Sequence, residues 1–175
     1  GVSSACGSSN VMEYLGIKFS NDEDFLKHSI DKAGICVLHA PLFHPAMKNV
    51  APIRRELGVK TFFNMLGPMV NPSFPKNQVI GVFNLELLRL YGYLYQNTDK
   101  NYAIVHALDG YDEISLTGNT KVITKNSEIL FAPEDLGIKR IKQSDIFGGN
   151  TVEDAAKIFL NVINGNGTEA QNNVV

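Results

Sequence analysis

Three short apolar runs, set apart by helix-like stretches, constrain this chain most. Ile35-Cys36-Val37-Leu38, Val79-Ile80-Gly81-Val82-Phe83 and Tyr102-Ala103-Ile104-Val105-His106 each lie between turn signals. Unbroken apolarity over so short a span fits a strand covered on both faces, and lacks the alternation of a half-exposed strand. Leu85 to Gln96 between the second and third runs has the spacing of an amphipathic helix. Strand, helix and strand in alternation predict an α/β fold: a mainly parallel central sheet flanked by helices. After residue 115 the rhythm changes. Thr120 to Thr124 alternates, and Glu128 to Phe131 follows across Asn126-Ser127, which predicts a short antiparallel hairpin. Thr151 then caps a helix to about Val162.

The segment ahead of the first run is helical in character. Asn10 or Ser9 caps a short helix from Val11 to Leu15, ended by Gly16. Ser20-Asn21-Asp22-Glu23 opens a second helix to about Lys32, with Phe25, Leu26 and Ile30 as its apolar stripe and Gly34 as its stop. Further on, His44-Pro45 starts a helix reaching Leu57, bent or split at Pro52. Thr61 to Pro72 is apolar and turns at Gly67-Pro68 and again at Asn71-Pro72. Apolar residues make up 44% of the 175, enough for a sizeable core. A net charge of -2 gives no basic surface for nucleic acid or an anionic membrane. No apolar run approaches the roughly 20 residues of a spanning helix. Two cysteines, Cys6 and Cys36, make no disulfide framework, and a reducing, cytoplasmic setting is the simplest expectation. The first residues, Gly1-Val2-Ser3-Ser4, and the last, Asn173-Val174-Val175, read as cuts through a longer protein.

Three places carry chemistry. GVSSACGSSN, residues 1–10, is a run of small residues feeding a helix start, where consecutive N–H groups and serine hydroxyls can cradle an anion. Taken alone it reads first as an ordinary capped loop. Met47 and Arg54, seven residues apart, share one helix face. A guanidinium beside apolar groups suits a carboxylate on an aromatic ring, though Arg54 and Arg55 also read as surface charges paired with acids such as Glu56. Asp109-Gly110-Tyr111-Asp112-Glu113-Ile114-Ser115 follows the third apolar run. Ligands of open α/β sheets bind beyond the carboxyl ends of the strands, and carboxylates there suit magnesium. Sharing an ion needs a turn, which Gly110 permits. The other reading is a solvated acidic turn.

These places occur together and in order. Val2-Ser3-Ser4-Ala5-Cys6-Gly7-Ser8-Ser9-Asn10-Val11-Met12-Glu13-Tyr14-Leu15-Gly16 resembles the phosphoribosyl-diphosphate loop of the anthranilate phosphoribosyltransferases, V-S-S-K-S-G-S-A-D-V-L-E-A-L-G. His44 through Gly58 is similar to that family's anthranilate-binding helix. Asn64-Met65-Leu66-Gly67-Pro68-Met69-Val70-Asn71-Pro72 fits its N-x-L-G-P-x-x-N-P signature, and Asp109 to Ser115 fits its magnesium segment, D-G-x-D-E-[IL]-S. The likeness covers nearly the whole chain. It departs at Ala5-Cys6, where the family carries Lys-Ser and hence a positive charge. The family's upstream Gly-Thr-Gly-Gly-Asp, Asn-x-Ser-Thr and Lys-His-Gly-Asn stretches have no counterpart.

The resemblance implies transfer of phosphoribosyl from 5-phosphoribosyl 1-diphosphate to the amine of anthranilate, in tryptophan biosynthesis, with Mg2+. It implies that Val2, Ser3, Ser4 and Ser8 contact phosphoribosyl diphosphate. Arg54, Gly67 and Pro68 would serve anthranilate, and Asp112 and Glu113 the metal. No catalytic base is assigned; His44 is the weak candidate. Residues 1–33 would belong partly to a small helical domain and residues 34–175 to the α/β phosphoribosyl-diphosphate-binding domain. The full-length protein would be a homodimer, with neither nucleic acid nor membrane as partner, and this piece alone would be inactive. Two rival readings stand beside it: a pyrimidine nucleoside phosphorylase of the same fold, and a homologue with a non-catalytic binding role.

Overall fold

The computed structural model describes residues 7–44 and 63–175. In chain order these form α1 (Ser8–Tyr14), α2 (Glu23–Ala33), α3 (Ala40–Phe43), α4 (Phe63–Leu66) and a 3-10 turn (Gly67–Met69). Then follow β1 (Asn77–Gly81), α5 (Leu85–Tyr95), β2 (Asn101–Ala107), β3 (Thr120–Thr124) and β4 (Glu128–Phe131). Two 3-10 turns (Pro133–Leu136 and Gln143–Ile146), α6 (Val152–Ile163) and α7 (Glu169–Val174) complete the chain. The chain divides into two compact units, Gly1–Pro72 with Gly148–Leu160, and Ser73–Phe147 with Asn161–Val175.

In the first unit, α2 begins and ends as its sequence dictates. The Asp22 carboxylate accepts the Phe25 N–H at 2.8 Å, and Glu23 and Asp24 fill the positive end of the helix. Gly34 closes it in the left-handed region at φ 71°, with its N–H on the Ile30 carbonyl. Helix α1 starts earlier than expected, at Ser8. Gly7 is its cap, and Asn10 sits three residues inside and reaches back to the Gly7 N–H at 3.0 Å. An asparagine satisfies an orphan N–H from either position, so its identity alone cannot fix the register.

The run Ile35 to Leu38 is not a strand. It is an extended connector, Ile35 is 68% exposed, and none of β1 to β4 pairs with it. Apolarity signals a preference for burial; a strand also needs a neighbour to take its N–H and C=O groups. His44 ends α3, donating its N–H to the Ala40 carbonyl at 3.0 Å. The helix expected from Pro45 to Leu57 lies outside the described residues. Gly67-Pro68 forms a helical turn, where proline loses nothing because an N–H in a first turn has no partner.

The second unit holds the sheet, in order β1-β2-β3-β4. The α/β class holds, with β1 and β2 parallel and the pairs β2–β3 and β3–β4 antiparallel. The hairpin turns at the expected place, and Lys121 reaches Glu128 across it at 2.5 Å. Strand β2 is central and carries the core residues Ile104, Val105 and Ala107. Against it lies α5, capped by Asn84, whose side chain accepts the Leu87 N–H at 2.8 Å. Leu87, Leu88, Tyr91 and Tyr95 share the inward face at helical spacing. The Tyr95 ring packs on Tyr102 at 5.5 Å and edge-on to Tyr91 at 6.3 Å. Strand β1 begins and ends two residues before its apolar run. Ile80 is buried on the face that α5 covers, and Val79, on the opposite face, is 75% exposed. Near the end of the chain, Glu169–Val174 form α7 behind a Thr168 cap.

Candidate functional site

Parallel pairing puts the carboxyl ends of β1 and β2 side by side, with Gly81 opposite Val105. The ladder runs one step further, since the Val82 N–H donates to the Val105 carbonyl at 3.0 Å. His106, 5% exposed, bridges the same two strands with its side chain. Its Nδ1 stands 2.8 Å from the Val82 carbonyl, which can only accept, so Nδ1 carries the proton.

The loop from Leu108 to Asn119 leaves this edge. Gly110 turns the chain at φ 104°, a conformation glycine adopts without strain, and its N–H closes onto the Ala107 carbonyl at 2.9 Å. The Ala107 N–H donates to the Tyr111 carbonyl at 2.9 Å, and the Leu108 N–H to Asn119 at 2.8 Å, tying both ends of the loop. The turn that adjacent carboxylates need in order to share a ligand is therefore present. Asp112 and Glu113 stand exposed on it, in no ion pair with a described cation.

Asp109 behaves differently from the two acids that follow it. Its Oδ2 accepts the Ser115 hydroxyl at 3.1 Å and, by a short contact, the Thr117 hydroxyl. Ser115 Oγ in turn accepts the Thr117 N–H at 3.0 Å, and Thr120 Oγ1 accepts the Ser115 N–H at 3.1 Å. The acidic segment thus splits into one inward carboxylate engaged with hydroxyls and two outward ones. Sequence spacing grouped all three together. The available signal was Ser115-Leu116-Thr117, hydroxyls placed to bind locally.

The outward pair fits magnesium by its chemistry. Two hard oxygen donors on a fixed turn leave coordination positions for water and substrate phosphates. No group of three or more His, Cys, Asp or Glu among the described residues could hold a metal, so the donor set is not a closed protein cage. Ser8 is exposed at the start of α1, Gly67 is exposed and Pro68 half-buried in the 3-10 turn; all three belong to the first unit, and Asp112 and Glu113 to the second. Val2, Ser3, Ser4 and Arg54 lie outside the described residues.

Residues 1–175 match the family model described as glycosyl transferase family, a/b domain. The chain belongs to this glycosyl transferase family. Across all 175 residues it is 71% identical to an anthranilate phosphoribosyltransferase of Flavobacterium psychrophilum, of which it covers 53%. The chain spans about half the length of the curated relatives it matches. Among solved structures, this glycosyl transferase domain is similar to the anthranilate phosphoribosyltransferase of Thermus thermophilus, with a TM-score of 0.82 and 32% identity over 95% of this chain and 50% of that one. It is also similar to the Saccharomyces cerevisiae enzyme in complex with PRPP and Mg, with a TM-score of 0.80 and 26% identity over 94% of this chain and 48% of that one. No described helix is long and apolar enough to cross a membrane.

Proposed function

We propose that this chain is most of the nucleotide-binding part of an anthranilate phosphoribosyltransferase, acting in tryptophan biosynthesis in the cytoplasm. The reaction displaces diphosphate from the anomeric carbon of 5-phosphoribosyl 1-diphosphate by the amine of anthranilate. The products are N-(5-phosphoribosyl)anthranilate and diphosphate. One observation carries the reading: an exposed Asp112–Glu113 pair, with no cationic partner among the described residues, on the loop at the carboxyl end of the parallel β1–β2 pair. The near relatives and solved neighbours that bear this enzyme's name support it. So do the PRPP and Mg held by the yeast protein and the 4-fluoroanthranilate bound to it in a further structure.

In this reading Asp112 and Glu113 hold Mg2+, which supplies charge neutralisation to the departing diphosphate. Val2, Ser3, Ser4 and Ser8 hold phosphoribosyl diphosphate through aligned donors. Arg54 grips the anthranilate carboxylate by two parallel hydrogen bonds and orients its amine toward the anomeric carbon; Gly67 and Pro68 line the approach. Positioning of this kind supplies roughly 7–11 kcal/mol of a barrier in favourable cases. The amine of an aromatic acid is already a neutral nucleophile, so no side chain needs to take its proton before attack. Residues 1–33 form part of a small helical domain, residues 34–175 form the α/β domain, and the whole protein is a homodimer.

The test uses the full-length protein. Given anthranilate, phosphoribosyl diphosphate and magnesium, it should form N-(5-phosphoribosyl)anthranilate. Phosphorolysis of a pyrimidine nucleoside in the parallel control, with no transfer to anthranilate, would assign it to the other chemistry of this fold.

A further inference from the structure

We infer that Asp109 is a positioning residue for the metal-binding turn and not a third ligand, an inference that rests on the metal role of Asp112 and Glu113 proposed above. Asp109 and Ser115 bracket the two outward acids, and their side chains close on each other at 3.1 Å. The Thr117 hydroxyl joins the same Oδ2, and the Thr120 hydroxyl holds the Ser115 N–H. This knot fixes residues 109–115 as a ring before any ligand arrives. The neighbouring backbone is shaped to let Asp109 in: a Cβ on Gly118 would stand 2.7 Å from the Asp109 carboxyl carbon.

The second oxygen of Asp109 sharpens the inference. Oδ1 is buried and accepts no hydrogen bond from the described residues. A buried carboxylate oxygen without a donor is costly. Such unsatisfied groups mark sites where a charge or a geometry is held for use. Asp109 is half-buried and its partner Ser115 is buried, while Asp112 and Glu113 stand exposed on the same loop. That is the arrangement of a residue that orients ligands without touching the ion.

Mn2+, visible by electron paramagnetic resonance, is titrated into full-length protein with phosphoribosyl diphosphate present. Asp109→Ala should weaken Mn2+ binding roughly 10–100-fold. Asp109→Asn, which still offers an oxygen to both hydroxyls, should recover most of it. Thr117→Val removes one donor at constant shape and should shift Mn2+ affinity in the same direction, even if Asp109→Ala does not fold. Anthranilate affinity, read by its own fluorescence, should stay unchanged in each variant. Glu113→Gln serves as the metal control. Mn2+ affinity lost in Glu113→Gln but unchanged in Asp109→Ala and Thr117→Val overturns the positioning role alone. Affinity unchanged in all three overturns the metal reading and this inference with it. Equal loss of Mn2+ and anthranilate in Asp109→Ala and Thr117→Val would reduce the knot to a fold element, and also overturns it.

Discussion

The carbonyl oxygen of Asp112 lies against the backbone of Gly81, 1.8 Å from where a Cβ on that residue would sit. No side chain fits there, so the acidic turn rests directly on the end of β1. The glycine is required by space and not by its dihedral angles, since Gly81 is not among the positive-φ positions. Gly81→Ala must push either strand or turn aside. It should cost about 1–3 kcal/mol, as overpacking of close-packed backbone does. It should also weaken Mn2+ binding, because the displaced atom belongs to a proposed ligand residue. Denaturant midpoints and the Mn2+ titration of full-length protein check both parts. A normal midpoint with normal metal affinity would mean that the turn yields without consequence.

The scaffold under that turn is α5 packed on β2. Leu88 and Ile104 are both 0% exposed. Leu88→Ala should destabilise the protein by about 2–5 kcal/mol through lost burial and the cavity left behind. Leu88 lies on α5, outside the loop that carries the acids, so metal affinity should survive at temperatures where the variant is folded. Thermal unfolding, with Mn2+ binding measured well below the midpoint, separates the two effects.

What the sequence made legible divides along the range of the signal. Local chemistry was readable: Asp22 and Gly34 bound α2, and the hairpin turns after Thr124. Ile80, Ile104 and Val105 were readable as core from apolarity alone. Pairing was not. Ile35 to Leu38 looked like β2 in composition, yet β2 has a neighbour on each side in the described sheet and Ile35 to Leu38 pair with none of its strands. Val79 was expected inside and is exposed because it lies on the face of β1 opposite α5. The antiparallel pairing of β2 with β3 likewise depends on contacts that no local pattern encodes. At the site, the residue types of the acidic loop were legible, and their directions were not. The division between Asp109 and the two acids after it is set by Ser115, Thr117 and Gly118.

Tyr91 and Tyr95 give the fold a pH dependence at the alkaline end. Burial, first of all, pushes both phenols above the ordinary tyrosine range of about 10. For Tyr91 the neighbouring Tyr95 adds to the rise; for Tyr95 the hydrogen bond it donates to Gln78 at 3.2 Å opposes it. A raised pKa in the folded state means that the unfolded chain loses its proton first. The contribution is therefore complete below about pH 10 and is lost as pH rises toward the folded values. Denaturant midpoints should fall above about pH 10, and Tyr95→Phe should flatten that fall. Midpoints independent of pH in that range would show that neither phenol is buried in solution.

Arg54 and Asp112 are proposed to serve different substrates, and that difference is testable without knowing how they lie relative to each other. Only anthranilate carries a ring carboxylate, so Arg54→Ala should weaken anthranilate binding by about 1.5–3 kcal/mol, the range for hydrogen bonds to a charged group. Phosphoribosyl-diphosphate binding should be spared. Asp112→Asn keeps size and removes charge, so it should raise the magnesium concentration needed for half-maximal activity while leaving anthranilate affinity alone. The crossed pattern is the informative one, because a general loosening of the protein would move both substrates in both variants. Equal losses for the two substrates in Arg54→Ala would remove Arg54 from the anthranilate site, and an unchanged magnesium titration in Asp112→Asn would remove Asp112 from the metal.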